Sequence, residues 1–226
     1  MNGMKKIYSV IRVALMITTI WLSALGSAFF IMLNCSSWWV DLRSSYLTNV
    51  STQHQLVDYW RVIRYLQLPW VHELHFEYLK MGSSAIHHFR DVRGLVLGAE
   101  FWLIISFLVA VGLLWYQKRT FQLWKLKSPL RWSFIIVLLL LGMGITNFDQ
   151  TFIEFHQLVF NNHDWIFNVY TDQIINMLPI SFFLICSLIW FALTFIFVFV
   201  IYWWINHQLK LFADQFTPKI TNQSRD

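Results

Sequence analysis

The stretch QIINMLPISFFLICSLIWFALTFIFVFVIYWWINHQL, which runs from Gln173 to Leu209, contains no Asp, Glu, Lys or Arg. A helix needs about 20 predominantly apolar residues to cross the hydrocarbon core of a bilayer, so this stretch is long enough to do so. Three more uncharged runs precede it, from Val13 to Leu33, from Phe101 to Tyr116 and from Trp132 to Phe148. The chain as a whole is 57% apolar and 13% charged, which is typical of an integral membrane protein.

The four apolar runs predict an all-α membrane protein with four transmembrane helices. The predicted spans lie at about residues 10–33, 94–117, 132–160 and 174–205. The first run is longer than the core of a signal peptide and is therefore interpreted as a retained anchor. Residues 34–93 are expected to form a small extracellular α/β cap between the first two helices, and residues 149–179 a second extracellular segment.

The charges of the connecting segments predict the orientation in the membrane. The connection between the second and third spans carries five basic residues and no acid, whereas the next connection carries four acids and no Lys or Arg. Because basic connections face the cytoplasm, both termini are predicted to be cytoplasmic in the cell membrane. The net charge of +5 is then explained by anchoring at the inner leaflet, and a nucleic-acid partner is not expected.

Within the cap, Ser51 or Thr52 is expected to cap a helix that ends near Pro69. Polar and apolar residues alternate from Glu73 to Leu79, and this alternation predicts a short strand. Ser84 is expected to be the N-cap of the helix that becomes the second span. The cap is thus predicted to contain both a helix and a strand.

Seven of the eight histidines fall in the two predicted outer segments. His87 and His88 lie in the first turns of the second membrane helix, where the helix dipole disfavours the imidazolium form. Asp91 follows His88 by three residues and His87 by four, so its carboxylate could orient either ring. The spacing alone does not decide which of the two histidines faces Asp91.

His156 is the second candidate, because it lies at the outer end of the third predicted span. Asp149 precedes it by seven residues and shares its helix face, so Asp149 is a candidate remote partner. Asn161 and Asn162 are expected to end the helix. Trp165 then follows as an aromatic anchor at the membrane boundary.

The chain lacks the sequence signatures of several enzyme classes. It has no glycine-rich phosphate loop, no G-x-S-x-G elbow and no H-E-x-x-H zinc helix. Cys35 and Cys186 belong to no C-x-x-C pair, so a dithiol relay is not indicated. We therefore expect neither a metal nor a cofactor.

General base chemistry on a lipid ester is the hypothesis that remains. A neutral histidine at the depth of the ester carbonyls could take a proton from an amine or hydroxyl nucleophile. A second histidine, or Tyr59 or Tyr65, could donate a hydrogen bond to the developing oxyanion. Two other interpretations stay open: a non-catalytic accessory protein that docks a partner, and a four-helix membrane redox or haem protein.

A set of motifs in the two outer segments points to a known family. The positions are Ser83 through His88-x-x-Asp91-Val92, Phe155-His156-x-x-x-Phe160-x-Asn162, Trp165-x-Phe167, Asp172, Ile174, Pro179 and Phe182-Phe183. This pattern resembles the lipoprotein intramolecular transacylase (Lit) family of Gram-positive bacteria. The resemblance implies an acyltransferase that moves the sn-2 acyl chain of a lipoprotein's S-diacylglyceryl group to the α-amine of its N-terminal cysteine, which leaves the lyso-form.

The resemblance also implies roles for particular residues. His156 would be the general base and His88 the oxyanion donor, with Asp91 orienting His88. The other implied residues are the orienting groups His87, Asp149, Tyr59 and Tyr65 and the substrate contacts Trp165, Phe155, Asn162 and Asp172. A covalent acyl-enzyme, a metal and a cofactor are not expected, and the partners are diacylglyceryl-modified lipoproteins and membrane lipids.

Two positions depart from the family pattern. The histidine is doubled at His87 and His88, which leaves open which of them corresponds to the family residue. Asn168 stands where an acid or an Asp-Pro turn is expected, and this departure concerns only a loop.

Overall fold

The structure of the protein is a computed structural model that describes residues 2–40, 48–145 and 147–216. Within these ranges the chain forms α-helices and short 3-10 turns, and no strand. The α-helices are α1 Asn2–Cys35, α2 Thr52–Gln67, α3 Ser83–Arg119, α4 Trp124–Ile145, α5 Phe148–Val159 and α6 Ile180–Phe216. The 3-10 turns lie at Ser36–Trp38 and Gln173–Met177.

Among the described residues, three helices are long and apolar enough to cross a membrane. The candidate spans are Lys6–Trp38, Ser83–Arg119 and Ile180–Asp214. Many of their Ile, Leu, Phe and Val side chains are exposed, which suits contact with lipid chains. The prediction of an all-α membrane protein is therefore confirmed, and length and composition identify three of its spans.

Helix α1 lies at the centre of the bundle and packs along both α3 and α6. Gly26 allows the close approach of α3, because a Cβ atom at this position would lie 3.0 Å from the side chain of Leu103. The indole N–H of Trp21 donates a hydrogen bond to Ser133 of α4 at 2.9 Å. This bond ties α4 to the same central helix.

Buried apolar side chains form two clusters, one towards each end of α1. The cap-side cluster joins the cap to the nearby parts of α3 and α6, and its members include Tyr59, Phe76, Phe89, Ile174 and Phe182. The opposite cluster joins the other ends of the long helices, and its members include Met16, Ile20, Leu123, Leu126 and Ile205. The cap-side cluster is the one that supports the candidate histidines, since Phe89 follows His88 directly.

The predicted strand at residues 73–79 is wrong. The carboxylate of Asp58, which is fully buried, accepts hydrogen bonds from the N–H groups of Glu77, Tyr78 and Leu79 at 2.8, 2.9 and 2.8 Å. Backbone donors that are bound to a carboxylate are not available for a strand ladder. The described part of the cap is therefore a helix, α2, with an irregular segment held on a buried acid.

Helix α2 begins as expected, because the hydroxyl of Ser51 accepts a hydrogen bond from the His54 N–H at 3.3 Å. The prediction of Ser84 as the N-cap of α3 is wrong, since Gly82 occupies that position. The carboxylate of Asp172 accepts the Gly82 N–H at 2.9 Å, and a Cβ on Gly82 would lie 2.8 Å from that oxygen. A distant acid therefore satisfies the start of α3 in place of a local hydroxyl.

The helix predicted to continue from residue 132 to 160 is divided in two. Asn147 is the N-cap of α5, and its φ of −139° and ψ of 68° lie outside the helical region. Its carbonyl accepts the N–H of Thr151 at 3.1 Å, so a new helix begins there. As a result α5 is a separate helix of 12 residues that carries His156 in its last turn.

We expect that Asp58→Asn destabilises the cap, because an amide carries no charge and its NH2 group would face backbone N–H donors that one carboxylate oxygen now accepts. The free energy of unfolding should fall by about 3 kcal/mol, the cost of leaving buried polar groups unsatisfied. The melting temperature of the detergent-solubilised protein measures it. The matched control is Glu77→Gln, which removes an exposed carboxylate paired with Arg61 and should cost less than about 1 kcal/mol. Equal melting temperatures for the two variants would contradict this role of Asp58.

Candidate active site

The structure brings His88 and His156 together. His88 lies in the second turn of α3 and His156 in the last turn of α5, and their ring centroids are 5.9 Å apart with an angle of 34° between the planes. The two residues are only 8% and 9% exposed. Two imidazoles that are far apart in the sequence thus form one buried pair.

Aromatic rings surround the pair. Phe160 contacts both histidines, with centroids 4.9 Å from His88 and 5.7 Å from His156. Phe167 lies 5.4 Å from His88, and Trp165 lies 5.0 Å from His156. Apolar surroundings disfavour the charged form of an imidazole, so they favour two neutral rings.

A backbone contact fixes the orientation of His156. Its Nδ1 lies 2.7 Å from the carbonyl oxygen of Phe152, one turn earlier in α5. A carbonyl oxygen only accepts hydrogen bonds, so Nδ1 carries the proton and Nε2 keeps its lone pair in the neutral ring. Burial lowers the pKa of His156 below its ordinary value, although the bond to Phe152 acts in the opposite direction. His156 therefore has the properties of a general base with Nε2 as the basic atom.

His88 is held differently. Its Nδ1 is buried and has no hydrogen-bond partner among the described residues. The ring is instead fixed by packing against aromatic neighbours such as Phe160 and Phe167. A buried ring nitrogen without a partner is costly, and a substrate that offers an acceptor could satisfy it.

The sequence predicts that Asp91 orients His88, but the described structure gives this carboxylate another partner. Asp91 accepts a hydrogen bond from the side-chain amide of Asn162 at 2.9 Å. The side-chain oxygen of Asn162 accepts a hydrogen bond from the N–H of Asp164 at 3.1 Å. The main-chain carbonyl of Asn162 accepts a hydrogen bond from the indole N–H of Trp165 at 3.1 Å. Asn162 therefore connects α3 to the loop that carries Trp165, a role that only the folded chain reveals.

A second set of hydrogen bonds joins the loop to the beginning of α3. Asp172 is buried, and besides Gly82 it accepts hydrogen bonds from the Asn168 N–H at 3.2 Å and the Thr171 hydroxyl at 2.8 Å. Next to it, Gln173 exchanges two hydrogen bonds with the backbone of Lys80. These contacts hold the loop at residues 168–173 against the start of α3, the helix that carries His88.

The remaining predicted residues lie around the pair without joining it. His87 is exposed, and its ring lies 3.6 Å from the carboxylate of Asp164. Asp149 is exposed at the start of α5. Phe155 is half exposed, and its ring lies 5.4 Å from that of His156. His88, and not His87, is therefore the histidine that faces His156.

Tyr59 and Tyr65 belong to the cap core. The hydroxyl of Tyr59 is hydrogen-bonded to Ser36, and burial raises the pKa of this phenol. The ring of Tyr65 lies under the guanidinium of Arg93 at 4.7 Å. In the described part of the chain neither tyrosine has a ring contact with the histidines: Tyr59 joins the cap to the end of α1, and Tyr65 joins it to α3. No group of three or more His, Cys, Asp or Glu side chains there could hold a metal ion.

Solved structures of the membrane integral lipoprotein intramolecular transacylase Lit from Bacillus cereus are similar to this chain. One is 21% identical with a TM-score of 0.82, and the match covers 94% of this chain and 99% of the other. A form with a histidine-to-alanine mutation is 20% identical with a TM-score of 0.76 and coverages of 93% and 99%. A form with a histidine-to-arginine mutation is 19% identical with a TM-score of 0.72 and coverages of 95% and 100%. These likenesses show a shared fold.

A comparison with curated protein sequences finds no match. The model of one protein family, lipoprotein intramolecular transacylase Lit, matches residues 9–183, which include most of α1, the cap, α3 and the histidine pair. The fold and this match define a membrane-integral acyltransferase. The chain belongs to the lipoprotein intramolecular transacylase Lit family, and its activity is the intramolecular transacylation of lipoproteins.

We expect that Asn162→Asp lowers the rate of transacylation between about tenfold and about 100-fold, the effect of displacing a catalytic group by about 1 Å. The new carboxylate would face Asp91, so the hydrogen bond is lost and the two charges repel. The rate is measured as the formation of modified lipoprotein in membranes that contain equal amounts of each variant.

The control is the double variant Asp91→Asn with Asn162→Asp, which restores one amide and one carboxylate with their positions exchanged. It should recover a large part of the lost rate. A double variant as slow as the single one would show that this contact does not determine the geometry of the site.

Proposed function

We propose that the histidine pair moves the sn-2 acyl chain of an S-diacylglyceryl cysteine to the α-amine of the same cysteine, which leaves the lyso-form of the lipoprotein. The observation that carries the proposal is the buried pair of His88 and His156, 5.9 Å apart between ring centroids. At this separation an ester carbonyl and an attacking amine can each contact one ring. Family membership favours acyl transfer over the docking and haem interpretations.

His156 is the general base in this proposal. As the α-amine attacks the ester carbonyl and the C–N bond forms, Nε2 of His156 takes one proton from the amine nitrogen. Nδ1 stays bonded to the Phe152 carbonyl, so the proton has only one nitrogen to occupy. The same carbonyl stabilises the imidazolium that results.

His88 stabilises the oxyanion. Its ring N–H donates a hydrogen bond to the carbonyl oxygen that becomes negative in the tetrahedral intermediate. When the intermediate collapses, the ester C–O bond breaks and His156 returns its proton to the glycerol oxygen. An ester and an amine become an amide and a hydroxyl, so protons balance and neither a cofactor nor a covalent acyl-enzyme is needed.

The surroundings of the pair support an intramolecular reaction. The amine and the ester belong to one molecule, and a site that holds both gains rate through proximity. The rings of Phe160, Phe167 and Trp165 exclude water, which protects the ester from hydrolysis. Trp165 and the half-exposed Phe155 flank His156, and we assign the acyl chain to them. Asn162 and Asp172 act by positioning the loop.

We further propose four membrane crossings, with α4 as the third in chain order and α5 outside the membrane core. Two contacts support a common cytoplasmic side for the N-terminus and the basic connection between α3 and α4. The guanidinium of Arg12 lies over the ring of Tyr116, and Lys125 donates to Ser9. Both termini would then be cytoplasmic, and the cap at residues 34–93 and the histidine pair would face the outside, where they meet lipoproteins and outer-leaflet lipids.

The central test is mass spectrometry of lipoprotein N-terminal peptides from cells that express the chain. The wild-type protein should yield N-acylated, S-monoacylglyceryl cysteine. His156→Ala should reduce this product by about 10² to 10⁴, the usual contribution of a general base. The control is His54→Ala, which replaces an exposed histidine stacked on Tyr78 and should leave the product unchanged. An undiminished product with His156→Ala would remove the basis of the proposed mechanism.

The pKa of His156 provides an independent test. Because burial lowers it, Nε2 should remain unprotonated as the pH falls through about 6.5, and protonation should follow only at lower pH. Nitrogen NMR of the labelled ring in detergent measures the titration. The same ring in the denatured protein should titrate near its ordinary value of about 6.5. A native pKa above the denatured one would contradict the neutral, buried state of the His156 ring from which the proposed mechanism starts.

A further inference from the structure

A groove lies between the outer end of α1 and one face of α2, away from the aromatic rings that enclose the histidine pair. Its volume is about 440 Å³, and it is lined by Asn34, Trp60, Ile63, Arg64, Gln67 and Leu68. This volume falls within the range of about 300 to 1,000 Å³ that is typical of small-molecule sites. Positions 60, 63, 64 and 67 share one helix face, so α2 presents them as a single stripe.

The amide side chains of the groove are already satisfied. Asn34 donates to Gln67 at 2.8 Å and to the Phe30 carbonyl at 2.8 Å, while Gln67 donates to the Ile63 carbonyl at 3.3 Å. These bonds fasten α2 to the end of α1. The groove is therefore built on a fixed joint between the first span and the cap.

Arg64 is exposed in this groove and has no ion-pair partner among the described residues. The nearby acids are engaged elsewhere: Asp58 is bound by backbone N–H groups, and Glu77 is paired with Arg61. A guanidinium without a carboxylate partner offers parallel N–H donors that match a phosphate. The groove thus combines an available cation with the apolar side chains of Trp60 and Leu68.

The position of the groove indicates the kind of anion. Asn34 lies in the last turn of α1, near the end of the candidate span Lys6–Trp38, so we place the groove where this span would leave the hydrocarbon. Lipid phosphates lie at this boundary, and tryptophan is favoured there because its ring is apolar and its N–H is polar. A cation and an apolar lining at this depth fit an amphipathic anion.

We propose that this groove binds the headgroup of an anionic phospholipid, with the phosphate on Arg64 and the glycerol and first methylenes against Trp60, Ile63 and Leu68. An S-diacylglyceryl group carries no phosphate, so it cannot supply the charge that Arg64 would pair with. The groove is therefore a lipid site separate from the histidine pair, and the inference does not depend on the proposed catalytic roles.

The test is native mass spectrometry of the delipidated protein in a neutral detergent. Three probes are added separately: dioleoyl phosphatidylglycerol, dioleoylglycerol with the same tails and no phosphate, and inorganic phosphate. The wild-type protein should retain one phosphatidylglycerol more strongly than dioleoylglycerol. Arg64→Gln should weaken this retention about fivefold, the size of one partly exposed ion pair, and leave dioleoylglycerol unchanged.

Arg90→Gln is the matched control, because Arg90 is another exposed arginine on the outer side and does not line the groove. Arg64→Lys keeps the charge and should retain more phosphatidylglycerol than Arg64→Gln. Equal loss in the Arg64→Gln and Arg90→Gln variants, or equal retention of both lipids by the wild-type protein, would overturn the proposal. Displacement of the lipid by millimolar inorganic phosphate would overturn it as well, since the site would then select free phosphate.

Discussion

The hydrogen bond from Asn162 to Asp91 is the contact on which the geometry of the histidine pair depends. His88 and His156 belong to α3 and α5, and in the described part of the chain these helices are not packed along their lengths. The loop after α5 closes the distance, because Asn162 binds α3 and its neighbouring Trp165 lies on the His156 ring. One hydrogen bond and one aromatic contact thus take the place of extended packing between the two helices.

The pair also depends on what surrounds it. Aromatic rings keep both imidazoles in a medium of low polarity, where neutral rings are favoured over charged ones. One ring is oriented by a main-chain carbonyl, whereas the other packs against aromatic rings and its Nδ1 has no hydrogen-bond partner in the described part of the chain. The two histidines therefore have different freedom, and this difference supports different roles for chemically identical side chains.

Local patterns predicted the membrane class and the position of α2, and the family resemblance pointed to His156 and to one of the two histidines at positions 87 and 88. Apolar runs, the Ser51 cap and the motif spacings are properties of neighbouring residues, so they can be found without coordinates. The predicted strand and the predicted cap at Ser84 failed for one physical reason. Asp58 and Asp172 bind backbone N–H groups that are distant in the sequence, and such bonds replaced the predicted strand and the predicted cap at Ser84. The partner of Asp91 was missed for the same reason, because Asn162 is 71 residues away.

Contacts within α5 and contacts between distant segments form at different times during biosynthesis. The orientation of the His156 ring is set within a single helical turn, whereas its approach to His88 requires the loop that contains Asn162 and Asp172 to dock on α3. A chain made from its N-terminus exposes α3 to the bilayer well before that loop has been synthesised. A nascent chain therefore has His88 in place before the contacts that bring His156 to it can form.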